Sequence, residues 1–173
     1  MSTFGKAIPI NLFGESHGKA IGIVINNLPA GIKLDLNRIE AELLKRRPKS
    51  DLSTPRQEKD LYQIVSGYFN GHTTGTPLTF LIPNEDTKSR DYSPDIIRPS
   101  HADYTAKIKY NNHEDYRGGG HFSGRITTPL VILGAICNQI LQKKGITIGS
   151  HISSIKDIKD ASFLDSTISE ELL

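Results

Sequence analysis

The pentapeptide GESHG, residues 14–18, places a carboxylate, a hydroxyl and an imidazole in a row between two glycines. Histidine is the side chain that exchanges a proton most readily near neutral pH. The apolar run that follows at once, residues 21–25, demands burial. His17 therefore reads as a proton donor or acceptor on a loop held by a rigid strand. A second histidine, His101, follows the proline-stiffened turn Arg98-Pro99-Ser100 and opens a helix, with Asp103 close by. A helix N-terminus disfavours the cationic ring, which suits a neutral, proton-ready imidazole; a capping Ser100 beside a structural His101 fits the same residues. The run YRGGGHFSGR, residues 116–125, puts three glycines ahead of a helix and flanks them with Arg117 and Arg125. Glycines let backbone N–H groups approach an anion closely, and guanidinium groups pair with phosphate or carboxylate. Arg46, Arg47 and Lys49 form a further basic cluster. Each feature alone also fits a tight turn or a solvated helix end. Together they describe a pocket for a multiply anionic small molecule, with proton donors inside.

Other chemistries fit less well. His17, His101, His113 and His121 lack the short paired spacings of a zinc site, so no metal is expected. Ser16 and His17 are adjacent and no nucleophile elbow is present, which argues against a serine hydrolase.

The elements that would hold these residues can be sketched. Residues 20–26 read as a buried strand, and Pro29-Ala30-Gly31 as a turn. Asp35 or Asn37 caps a helix whose apolar face is Leu36, Ile39, Leu43 and Leu44; Pro48 ends it. Residues 49–60 form a long loop. Residues 62–69 and 78–82 read as strands of a hairpin with an Asn70-Gly71 turn between them. A second long loop covers residues 84–100, and loops of such length usually serve a ligand. Residues 102–110 are helical. An apolar helix spans residues 126–143 and is capped by Gly145; residues 146–152 read as a strand. The last stretch, residues 156–173, has no closing signal, and Glu170-Glu171-Leu172-Leu173 looks like the start of a helix cut short.

Bulk properties bound the class. The 173 residues suffice for one sizeable core, and 23% charged residues with 36% apolar ones make an ordinary globular composition. A net charge of +2 gives no argument for nucleic acid and leaves a small anionic ligand as good a reading. The single cysteine, Cys137, suits a reducing compartment. With no signal peptide and no apolar run long enough to span a membrane, a cytoplasmic protein without a membrane partner is expected.

The blocks FGESHGKAIGIVINNLPAGI, STPRQEKD, VSGYFNGHTTGTPLTFLIPNEDTKSRDYS, RPSHADYT and DYRGGG, in this order from Phe13 to Gly120, resemble chorismate synthase. The likeness continues more loosely through Leu141. It implies an FMN-dependent 1,4-anti elimination of phosphate from 5-enolpyruvylshikimate 3-phosphate, giving chorismate, with reduced FMN as cofactor and NADPH as candidate reductant. By the same resemblance His17 would protonate the departing phosphate and His101 would lie by the flavin ring. Arg46, Arg47 and Arg125 would bind the anionic substrate. The family's GGGRSSAR becomes Gly118-Gly119-Gly120-His121-Phe122-Ser123-Gly124-Arg125 here, so FMN contact passes to His121, Phe122 and Ser123.

The fold implied is α+β: an antiparallel sheet with packed helices, part of a β-α-β sandwich, in a homo-oligomer, a tetramer in the family. Members run to about twice this length. Residues 1–173 are accordingly expected to be the N-terminal portion of a chorismate synthase domain, truncated at its C-terminal end and with little or no activity alone. Two rival readings remain: a non-catalytic self-associating fragment, and a phosphohydrolase using His17 and His101.

Overall fold

The computed structural model describes residues 2–48 and 56–160. The chain forms two compact units, Met1–Ile136 and Cys137–Leu173.

The first unit is built on a five-stranded antiparallel sheet of order β1-β2-β3-β7-β4. Its strands are β1 (Thr3–Phe4), β2 (Ile10–Gly14), β3 (Ala20–Ile25), β4 (Gln63–Ser66) and β7 (Leu78–Pro83). Two short strands, β5 (Tyr68–Phe69) and β6 (His72–Thr73), form a separate hairpin. Period-two alternation explains the central pair. Ile21, Ile23 and Ile25 on β3 face Ile82, Phe80 and Leu78 on β7, and all six are buried. β2 adds Ile10 opposite Ile25, which places the same apolar face on three strands.

Helix α1 (Leu36–Arg46) starts at Asp35, whose carboxylate accepts the Asn37 amide at 3.0 Å. It buries Ile39 and Leu43, while Leu44 of the expected apolar face is half exposed. Helix α2 (Asp103–Lys109) and helix α3 (Thr128–Gln142) match the expected helices to within a few residues. Gly145, at φ 72°, ends α3 with the Ile146 amide donating to the Leu141 carbonyl. The α+β class, with an antiparallel sheet and three helices, is as the sequence implied.

Three expectations need correction. The stretch 62–69 is two strands, not one: Gly67 at φ 80° interrupts it. β4 joins the main sheet, and the Asn70-Gly71 turn, with both residues at positive φ, closes the small β5–β6 hairpin. Residues 146–152 form no strand, and Ile146, Ile148 and Ile152 are exposed. β-Branched composition alone does not make a strand without a neighbour to pair with. The second unit instead pairs β8 (Ser154–Ile155) with β9 (Ile158–Lys159). The terminal Glu170–Leu173 stretch and most of the loop after Pro48 lie outside the described residues.

The run Arg117–Gln142 is long and apolar enough to cross a membrane by length and composition. It is not one helix. Gly118, Gly119 and Gly120 have left-handed backbones, and α3 proper has 15 residues, about 22 Å at 1.5 Å per residue.

Candidate active site

The GESHG loop joins β2 to β3 and is clamped from both sides. Asn84, just past β7, donates its side-chain amide to the Glu15 and Gly18 carbonyls at 3.0 and 2.8 Å. The Ser16 amide donates to the Gly120 carbonyl at 3.0 Å. These bonds bury Ser16 and His17 although both are polar. The His17 ring lies against Gly118, where a Cβ would come within 2.2 Å of Nδ1 and Cε1. Gly118 is at φ 59°, so glycine is required there twice over, for backbone and for space. Tyr92 packs edge to face on the other part of the ring, centroid to centroid 5.1 Å.

His17 Nδ1 is buried and makes no well-formed hydrogen bond among the described residues. Burial pushes the ring below the ordinary histidine pKa, helped by the charges of Arg56 and Arg117; Asp115 and the Arg117 backbone oppose this. The neutral imidazole is thus favoured in this state. It lines a cavity of about 290 Å³ with Ser16, Ser123, Arg56, Lys88 and Tyr92; Asp86 and Asp91 sit on the same wall. Arg56 donates to the Ser16 hydroxyl and carbonyl at 2.7 and 2.9 Å, and Ser123 donates its hydroxyl to Ser16 Oγ at 3.1 Å.

Beneath the cavity lies an ion network. Arg125, almost fully buried, pairs with Asp60 and lies 3.8 Å from Glu58. It also donates to Asn84, Thr128 and the Pro83 carbonyl. Arg46 reaches Asp60 at 3.6 Å and the Gly124 carbonyl at 3.2 Å. Arg56 holds Glu58 at 2.6 Å. Burial alone would raise the Glu58 carboxyl, but the Glu85 amide and the Arg56 and Arg125 guanidinium groups outweigh it and hold it below the usual range. Among the described residues of this network, Arg46, Arg56 and Arg125 converge on Glu58 and Asp60.

The expected site residues are therefore brought together only in part. His17 and Ser123 share the cavity. Arg125 is not a free anion binder: every nitrogen of its guanidinium already meets a protein acceptor, and it acts by holding Asp60 and Asn84 in place. Arg47 donates to the Lys59 carbonyl and so tethers the loop after α1. Arg46 is partly exposed above the network. Arg117 is taken by Asp115 at 2.6 and 2.7 Å. His121 donates from Nδ1 to the Gly14 carbonyl, 2.8 Å away, and with Phe122, Phe13 and Tyr110 lines a different cavity of about 440 Å³. His101 is exposed and lines neither. Ser100 does not cap α2: it sits at φ 63° in the preceding turn, and α2 has no side-chain cap. Among the described residues no group of three His, Cys, Asp or Glu is placed to hold a metal.

The chorismate synthase family model matches residues 8–172. The chain belongs to the chorismate synthase family. Chorismate synthases of Thermococcus gammatolerans and Porphyromonas gingivalis are 47% and 49% identical to it, over 90% of this chain in each case and 44% and 43% of theirs. That of Azobacteroides pseudotrichonymphae is 49% identical over 91% of this chain and 45% of its own. A crystal structure of chorismate synthase superposes with a TM-score of 0.64 at 32% identity, over 91% of this chain and 42% of that one. The chain thus spans less than half the length of the chorismate synthases it matches.

Sequence reasoning passed over Arg56, Lys88 and Tyr92, which the structure sets around His17. Arg56 lies in the STPRQEKD block and Tyr92 in the DYS end of the long loop, so both stood inside family-like segments. What hid them was the absence of any local period: a loop side chain announces its neighbour only through the fold.

Proposed function

We propose that this chain contributes the phosphate-facing part of a chorismate synthase active site, and that the reaction is the FMN-dependent 1,4-anti elimination of phosphate from 5-enolpyruvylshikimate 3-phosphate. One observation carries the reading: a buried imidazole, its Nδ1 making no well-formed hydrogen bond among the described residues, shares a cavity with two hydroxyls, Arg56 and Lys88. The elimination breaks a C–O bond to phosphate and removes a proton from carbon, so the leaving group needs charge neutralisation and a proton.

Before an anion binds, burial and the charges of Arg56 and Arg117 keep His17 neutral. A bound phosphate reverses the balance, since an anion beside the ring favours the imidazolium. His17 then takes up a proton as substrate enters and holds it against the departing oxygen. Lys88 faces the phosphate; Arg56, whose nitrogens are engaged by Glu58 and Ser16, adds its positive field and with Ser123 fixes Ser16 beside the ring. Arg46 adds positive field; Arg47 and Arg125 act by position, through Lys59 and through Asp60 and Asn84.

The flavin ring is proposed to lie in the neighbouring cavity with its phosphate pointing away from Glu15, Glu114 and Asp115, which line that cavity too. Phe13, Tyr110 and Phe122 give the neighbouring cavity aromatic walls suited to a flat ring, and His121 adds a polar atom at its floor. Reduced FMN, with NADPH as candidate reductant, would supply electron density to the substrate. His101, on an exposed turn, is proposed to meet the flavin from outside these two cavities. The enzyme is proposed to work as a homo-oligomer in the cytoplasm, without nucleic-acid or membrane partners. This chain alone, at under half the length of its relatives, is proposed to bind substrate with little turnover.

Calorimetric titration with 5-enolpyruvylshikimate 3-phosphate, with and without reduced FMN under anaerobic conditions, tests the reading. Binding that weakens in R56A and in H17A supports it. No binding to the wild-type chain overturns it, and phosphate release without flavin replaces it with a phosphohydrolase.

A further inference from the structure

Tyr92 joins two parts of the molecule that carry the two loop histidines. Its ring meets His17 edge to face at 5.1 Å. The Arg98 guanidinium lies over the same ring, 5.3 Å from its centroid. Arg98 is in turn held by Asp103 through two side-chain bonds of 2.8 Å, and the Arg98 amide donates to the same carboxylate at 3.0 Å. Asp103 opens α2, and His101 lies inside the span that this pair staples, its amide donating to the Arg98 carbonyl at 3.3 Å. Tyr92 also lines both the His17 cavity and an adjoining cavity of about 190 Å³ bounded by Arg98, Asp103 and Tyr116. It stands as the partition between them.

We propose that Tyr92 is a positioning residue: stacked under Arg98, it presses the His17 ring against Gly118 and ties the ring's orientation to the Arg98–Asp103 staple that shapes the His101 turn. The geometry leaves His17 little choice. Gly118 closes one side with no room for a methyl group, and Tyr92 closes another. Ser16, on the same loop, is fixed by Arg56 and Ser123. The charged and titratable groups that face the ring are Arg56, Arg117 and Asp115, with Lys88, Asp86 and Asp91 along the cavity wall. Among the described residues the cation stacked on Tyr92 is Arg98, and none of these six. Removing the phenol ring therefore changes the solvation of His17 more than its charge surroundings. The consequence for catalysis rests on the proposed role of His17; the positioning itself does not.

The test reads the ring rather than turnover. Imidazole resonances of the whole chain, labelled at histidine and titrated with pH, assign His17 by its loss in H17Q. Y92F keeps the ring and should leave the His17 midpoint and shifts unchanged. Y92A should move the midpoint up toward the ordinary histidine value, with His72 on the distant hairpin unmoved. R98A touches neither His17 nor its cavity wall, yet should move the midpoint the same way by a smaller amount. A folded Y92A with an unmoved His17 overturns the proposal, and so does an unmoved His17 in R98A should Y92A not fold. Failure of substrate to bind the wild-type chain would instead strike the proposed function and leave this result standing.

Discussion

Gly118→Ala is the sharpest perturbation the structure offers. The added methyl would sit 2.2 Å from His17 Nδ1 and Cε1 and 2.9 Å from Ser16 Oγ. The ring is buried and backed by Tyr92, so it cannot swing aside freely. Two costs add. An L-residue at φ 59° costs about 1–2 kcal/mol for the left-handed backbone. Overpacking against a confined ring costs about 1–3 kcal/mol more. Gly31 supplies the control: it has φ 81° but nothing within 4 Å of where an added methyl would sit, so G31A bears the backbone cost alone. Urea unfolding followed by circular dichroism should place the G118A midpoint below that of G31A by an amount equal to about 1–3 kcal/mol at unchanged slope. Equal midpoints for the two variants would mean that His17 is not held against the glycine turn.

Other outcomes follow from the same contacts. R125M should lose about 3 kcal/mol in the same urea assay, the low end for breaking a buried pair, since Arg46 still reaches Asp60 and Arg56 still holds Glu58. Stability should fall with acid in two stages. His17 is held below its unfolded pKa, so the unfolded chain binds the proton first and stability declines as pH drops below about 6.5. Glu58 and Asp115 are held low and Asp103 lies at about 2, so their contribution is full above the ordinary carboxylate range and is lost as pH falls through their folded values. H17Q should flatten the upper stage only, as read from urea midpoints across pH. Leu61, Val65 and Phe69 are exposed on and beside β4, the sheet edge, so sedimentation should show concentration-dependent self-association that V65D weakens.

Legibility in the sequence followed the range of the physics. α1 was readable end to end because its cap, apolar spacing and terminal proline are all local. β3 and β7 were readable because burial on one face imprints alternation. β2 was not, although it carries the GESHG loop: Ile10-Asn11-Leu12-Phe13 is short and follows Pro9, and pairing with β3 is what makes it a strand. The Ile146–Ile152 error has the opposite origin, strand-like residues with no partner among the described residues. Within the site, His17 stood out by its glycine flanks, whereas the partners of Arg125, Asp60 and Asn84, lie 65 and 41 residues away and leave no local sign. A guanidinium that binds substrate and one that pins a loop look the same until its acceptors are known.

His17 is proposed to be neutral before ligand binds and to gain its proton from the arrival of a phosphate. The direct measurement is the His17 imidazole titration in the wild-type chain with and without saturating 5-enolpyruvylshikimate 3-phosphate. The expected result is a midpoint below the ordinary value without ligand and a clear rise when it binds, a rise that R56A diminishes. Bound substrate with an unchanged His17 midpoint would contradict it.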